Sequence, residues 1–124
     1  MPASERAVEL GLAAAQAAAD KLASDILLLD VSEQLVITDV FLLASAPNDR
    51  QVKAVVDEIE DRLRELDAKP VRREGLKEAR WVLLDFNELV VHVQHADDRQ
   101  FYALERLWKD CPVIELPASV RTPR

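Results

Sequence analysis

The sequence predicts an α/β domain built as a single mixed β-sheet of about five strands packed by helices. Helix-period and strand-like segments follow one another in the order α-β-β-α-β-β-β-α. Val52, Val55, Val56, Ile59, Leu63 and Leu66 repeat at i, i+3, i+4, i+7, i+11 and i+14, which makes one amphipathic helix. "WVLLDFNELVVHVQ", residues 81–94, reads as two apolar strands meeting at a tight turn. With 124 residues, 49% of them apolar and 31% charged, the chain has enough apolar material for a single core.

Ser4 is placed to cap a first helix running to about Ala23, with Val8, Leu12, Ala15, Ala19 and Leu22 as its stripe. Its alanine run favours helix and leaves a thin side that lies close to a sheet. "DILLLDV", residues 25–31, is a short continuous apolar run, as expected of a strand buried on both faces. "VITDVFLLAS", residues 36–45, has the β-branched and aromatic character of a second strand, and the two together are expected at the sheet's centre. Asn48 and Gln51 form a capping pair for the amphipathic helix, whose outer face carries Asp57, Glu58, Asp61 and Glu65. Residues 69–75 give a short strand near an edge, and 76–80 a charged loop. A last helix opens at Asp97, capped with Gln100, and turns Phe101, Leu104 and Trp108 inward. Residues 1–111 form the domain, and residues 112–124, with Pro112 and Pro117, form an extended tail.

Alternation sorts the hairpin. With Asn87 and Glu88 as the turn, Phe86 faces Leu89, Leu84 faces Val91 and Val82 faces Val93, a wholly apolar side that belongs to the core. The opposite side carries Trp81, Leu83 and Asp85 beside Val90, His92 and Gln94. Leu83 lies opposite His92, with Asp85 diagonal to it at roughly 7 to 8 Å. That half-polar side is either covered by a helix or offered to a partner. An Asp–His dyad needs a nucleophile, and neither strand carries a serine or cysteine. His92 is a satisfied structural histidine or a contact residue. Trp81 is packed under a loop or is an interface anchor.

Composition narrows the chemistry further. The chain has 23 acidic against 16 basic residues, a net charge of −7, which repels a phosphate backbone and suits a basic partner. Two glycines cannot build a phosphate-binding loop, and Phe41 stands where a second acid after Asp39 would be needed for two-metal chemistry. The lone Cys111 forms no intrachain disulfide, and His92 and His95 fit no zinc pattern. No cofactor is expected. The start MPASER lacks an apolar signal core, and no apolar run reaches the roughly 20 residues of a membrane span, so a cytoplasmic protein is expected.

"ASDILLLDV", "TDVFLLAS" followed by "RQV", "EG" before "WVLLDF", then "VVHV" and "FYALERLW" occur in an order that resembles the ribosomal silencing factor, or Iojap-like, family. The resemblance runs from about Asp20 to Trp108. It implies a nucleotidyltransferase-like sheet without an active site, and a binder rather than an enzyme. The expected partner is the large ribosomal subunit through the ribosomal protein numbered fourteen (L-fourteen), which blocks joining of the small subunit when nutrients are short. The resemblance also implies a homodimer when the protein is free, and no direct sequence-specific contact with nucleic acid. Trp81, Asp85, His92, Arg99, Tyr102 and Glu105 stand at characteristic motif positions and are the expected contacts, with Arg99 and Tyr102 on the outer side of the last helix and Trp108 in the core. Two departures stand out: Asn-Glu occupies the hairpin turn where glycine is common, and "APND" follows the "AS" segment. The competing readings are a residual nucleotidyltransferase or nucleotide binder, and a scaffold acting only as a dimer.

Overall fold

The computed structural model describes residues 3–102, 106 and 108–121, with backbone alone at 100–102 and 121. The first helix, α1 (Glu5–Asp20), is capped as expected: the Ser4 hydroxyl accepts the Ala7 N–H at 3.0 Å. Its buried face includes Ala15 and Ala19 of the expected stripe but not the rest of it. Ala7, Leu10, Ala14 and Ala18 are buried, whereas Val8 and Leu12 are half-buried and Leu22 is 61% exposed in the turn after the helix. The thin side decides the orientation. A Cβ on Gly11 would stand 2.9 Å from Leu28 Cδ1, so the helix approaches the sheet more closely than its large residues would permit.

Strands β1 (Ser24–Asp30), β2 (Val40–Ala46), β3 (Arg72–Glu74), β4 (Trp81–Asp85) and β5 (Leu89–His95) form one five-stranded sheet in the order β1-β2-β5-β4-β3. The β2–β5 pair is parallel, and the other pairs are antiparallel. The centre is therefore β2 with β5, rather than β1 with β2. All seven residues of β2 are buried, while β1 is exposed at its start and broken by an irregularity between Ser24 and Leu27. The Val113 backbone bridges to Leu29, and the Ile114 N–H donates to the Leu28 carbonyl at 2.8 Å, so the tail lines the outer edge of β1.

Residues 36–39 were expected in β2 but form the end of a loop. Asp30 accepts both the Ser32 N–H and the Ser32 hydroxyl, which turns the chain out of β1. Helix α2 (Asp49–Arg64) has the expected cap, Asn48 Oδ1 accepting the Gln51 N–H at 2.8 Å. The Gln51 side chain reaches the Lys21 carbonyl instead of closing a capping box. Val52, Val55, Val56, Ile59 and Leu63 are buried, as their spacing requires. Arg62 bridges Glu58 at 2.8 Å and Asp20 at 2.9 Å, tying α2 to α1.

Helix α3 (Ala96–Tyr102) leaves β5 without a linker. His95 Nδ1 accepts the Asp97 N–H at 3.2 Å at its start, and the expected capping partner of Asp97, the Gln100 side chain, lies outside the described residues. The tail, expected to be extended, ends in a one-turn helix, α4 (Ala118–Arg121), whose Val120 joins Leu116 in the main core.

Helices α1 and α2 cover one sheet face, where Leu28, Leu42, Leu84, Leu89 and Val91 make the core with the apolar sides of the helices. The chain's start is fixed at one end of the sheet, where β1 ends and β2 and β5 begin. Ala3 N–H donates to Asp30 at 3.0 Å, Ser4 N–H to Asp39 at 2.9 Å, and the Ser4 hydroxyl to Glu88 at 3.0 Å. Ser4→Ala removes the cap and the Glu88 contact together, and should cost about 1 to 2 kcal/mol in urea unfolding. Ser4→Thr, which retains both hydrogen bonds, should remain within about 0.5 kcal/mol of the parent.

Candidate partner interface

The β4–β5 hairpin closes tightly on Asn87. Phe86 N–H donates to the Leu89 carbonyl at 2.8 Å, and Asn87 adopts φ 73°, a conformation that asparagine tolerates better than most residues. Asp85 Oδ1 accepts the Asn87 N–H at 2.8 Å and supports the turn. An Asn-Glu turn thus closes without a register slip: Trp81 pairs with Gln94, Leu83 with His92 and Asp85 with Val90. The alternation read from the sequence holds, and these residues share the sheet face opposite α1 and α2.

That face is divided. Toward β1 and β2, Leu29, Val31, Phe41, Leu43 and Cys111 form a second apolar cluster against which Trp108 packs, its ring edge-on to Phe41 at 5.3 Å. Burial raises the Cys111 thiol pKa, aided by the charges of Asp30 and Asp110, so it stays a protonated core residue. Toward β4 and β3 the cover ends, and Trp81, Leu83 and Asp85 are each half-buried. Arg72 lies on this open side, paired with Glu74 at 3.1 Å and 3.9 Å from Asp85.

His92 stands between the two halves, 7% exposed, with Phe41 edge-on at 5.0 Å. Its Nδ1 accepts the Trp81 indole N–H at 3.2 Å. Burial lowers its pKa from 6.5 to about 4, so the ring is neutral at pH 7 with the proton on Nε2. A neutral ring accepting from an indole positions Trp81 and has no nucleophile to activate. The close approach of Gly75 fixes the start of β4 as well: at φ 82°, its absent Cβ would lie 2.0 Å from the Trp81 carbonyl oxygen, which is why "EG" precedes the tryptophan.

Arg99 was expected on the outer side of the last helix. It is 7% exposed instead, because α3 leaves β5 directly and packs back on β5 and β2. The helix is held there by Arg80, which donates to Asp98 at 2.7 Å. The side chains of Tyr102 and of Phe101 and Leu104, which were expected to turn inward, and all of Glu105 lie outside the described residues. The structure therefore joins Trp81 to His92 and places Asp85 on the same face, at the far end of β4 from Trp81.

The acids weighed for phosphate chemistry are engaged by the chain itself. Asp30 and Asp39 accept the N–H groups of Ala3 and Ser4. Burial acts to raise the Asp30 pKa, but hydrogen bonds from the Ser32 hydroxyl and the Ala3 and Ser32 N–H groups outweigh it and hold the carboxyl below its ordinary range. Among the described residues, no group of three histidine, cysteine or acidic side chains is arranged to hold a metal.

Residues 4–124 match the model of a protein family described as "Ribosomal silencing factor during starvation". The chain belongs to this family. The ribosomal silencing factor of Bacillus subtilis is 45% identical over 103 residues, covering 83% of this chain and 87% of the relative. That of Halalkalibacterium halodurans is 39% identical, covering 90% and 96%. A crystal structure of a Chromobacterium violaceum protein superposes with TM-score 0.79 at 32% identity, covering 82% of this chain and 85% of that one. The relatives in Bacillus subtilis and Halalkalibacterium halodurans carry the name of a ribosomal silencing factor.

Sequence reasoning missed the loop before β2, which leaves Val36 and Ile37 in solvent, and the buried amide of Gln94. Asp30 followed two residues later by serine is the signal for the loop, since that pattern forms an Asx turn. Gln94 was readable as lying on the second face, but its cover depends on α3.

Neutral His92 also makes stability depend on pH. The unfolded ring takes a proton near 6.5 and the folded ring only near 4, so its contribution is complete above pH 6.5 and is lost as pH falls toward 4. The loss amounts to up to about 3 kcal/mol. Urea-unfolding free energies measured from pH 7 to 4.5 should fall less steeply for His92→Phe than for the parent; parallel slopes would show that the ring is not the group responsible.

Proposed function

We propose that the protein binds the large ribosomal subunit through ribosomal protein L-fourteen, with the open half of the sheet face as its contact, and thereby blocks joining of the small subunit when nutrients are short. The observation that carries this reading is Trp81: half-buried, oriented by its hydrogen bond to His92, and flanked by half-buried Leu83 and Asp85. An aromatic anchor preorganised beside apolar and acidic neighbours is the composition of an interface hot spot. A net charge of −7 suits a basic protein embedded in RNA and disfavours direct binding to RNA itself.

In this reading the protein is a steric repressor and not an enzyme. It acts in the cytoplasm and is a homodimer when free. Asp85 is a turn support as well as a contact, His92 and Arg99 act from beneath the surface, and Tyr102, the last residue of α3, and Glu105 are further contacts in this reading. Nucleotide binding has less support, because Asp30 and Asp39 are already hydrogen-bonded by the chain's own start.

The test is co-sedimentation with purified large subunits. Trp81→Ala should weaken binding by about 2 kcal/mol, roughly thirtyfold, with the far-ultraviolet circular dichroism of the parent retained. Asp57→Ala and Asp61→Ala on the outer face of α2 should bind as the parent does. Undiminished binding by a folded Trp81→Ala protein would remove the sheet face from the interface.

A further inference from the structure

We propose a second docking surface at the end of the sheet remote from Trp81, where residues 31–39 receive a basic segment of a protein partner: an arginine or lysine enters the cleft beside Asp39, and an adjacent apolar side chain covers Val36 and Ile37. Val36 is 102% exposed and Ile37 is 83% exposed, the highest values among the exposed large apolar residues described. Two adjacent β-branched side chains in full solvent are an unused apolar contact, and the loop that carries them is held at both ends. Val31 N–H donates to the Asp39 carbonyl at 2.9 Å, and the Gln34 and Leu35 N–H groups donate to the Val31 carbonyl. Leu35 packs on the second apolar cluster, and Thr38 is buried. The pair is thus presented on a fixed support, which lowers the ordering cost of binding.

Beside it lies a cleft of about 580 Å³ whose lining includes Ser4, Ser32, Glu33, Leu35, Val36 and Asp39. Among the described residues no lysine or arginine lines it, and Asp30 and Glu88 add negative charge at the same helix start. Asp39 spends Oδ2 on the Ser4 N–H, and its Oδ1 is the acceptor proposed for the incoming cation. The aliphatic wall and acidic rim match the stem and head of a long basic side chain. This surface is distinct from the Trp81 end of the sheet face, while Asp85, in the row of Val90 and Phe41, lies at the same end as the loop. Trp81 pairs in the row of Gln94 and Ser45, about 17 Å along β2 from Val40, where the loop enters.

The probe is a hexapeptide of alternating arginine and valine, titrated into the full ¹⁵N-labelled chain. Amide resonances of residues 32–39 should shift together, and Val36→Ser with Ile37→Ser should raise the dissociation constant about fivefold or more at unchanged melting temperature. Asp39→Asn should weaken the peptide similarly, read against its own melting curve because Ser4 shares that carboxylate. Shifts centred on Asp57 and Asp61 of α2, or a dissociation constant indifferent to the serine variants, would mean general charge attraction and overturn the proposal. Equal binding of an alternating serine and valine peptide would overturn the basic occupant. The probe contains no ribosome, so failure of the large-subunit reading and failure of this one remain separate results.

Discussion

The parallel pairing of β2 with β5 is the constraint on which the rest of the molecule depends. It joins the first half of the chain to the hairpin across a crossover containing α2, and it lies at the sheet's centre with β2 wholly buried. Its register places Leu42 beside Val91 and Leu43 beside His92. A slip of one residue would exchange the two faces, putting the histidine under the helices and leaving Val91 on the opposite side. Because so much apolar surface is committed to α1 and α2, the register is strongly enforced. The identity of the second face follows from it.

That second face is a different kind of surface. The helical face is apolar almost throughout, whereas the other carries a neutral imidazole, the indole N–H it accepts, and the fully buried Gln94 amide, neither end of which has a hydrogen-bond partner among the described residues. Buried polar groups without partners are costly, so this layer contributes less to stability per unit of buried area. What it provides is orientation. The His92 ring holds the indole, Gly75 admits the backbone before it, and Asp85 shapes the turn beyond it, so a half-exposed tryptophan is kept in one geometry at the uncovered margin.

Much of this was legible because period-2 and period-3.6 patterns are local. The hairpin register, the α2 stripe and the caps at Ser4 and Asn48 follow from side-chain spacing alone. The errors occurred where tertiary packing overrides local preference. Val36 and Ile37 have strand propensity, yet the Asx turn at Asp30 carries the chain out of the sheet before them. On α1, alanine and glycine set the buried side, because close approach to Leu28 outweighs the larger residues. Arg99 was assigned outward because it falls about a third of a turn from the Phe101, Leu104 and Trp108 stripe, and the packing of α3 on β5 and β2 buries it. Of the candidate site, Trp81, Asp85 and His92 could be grouped from alternation, but not the hydrogen bond that links two of them.

The most direct measurement is the rate and extent of subunit joining, followed by light scattering as purified small and large subunits are mixed with increasing amounts of the protein. A steric repressor lowers the joined fraction in proportion to its occupancy of the large subunit, and preincubation with the large subunit should be more effective than preincubation with the small. Unchanged joining at concentrations that saturate the large subunit would contradict the account, because a protein bound there without obstructing its partner is not a steric block.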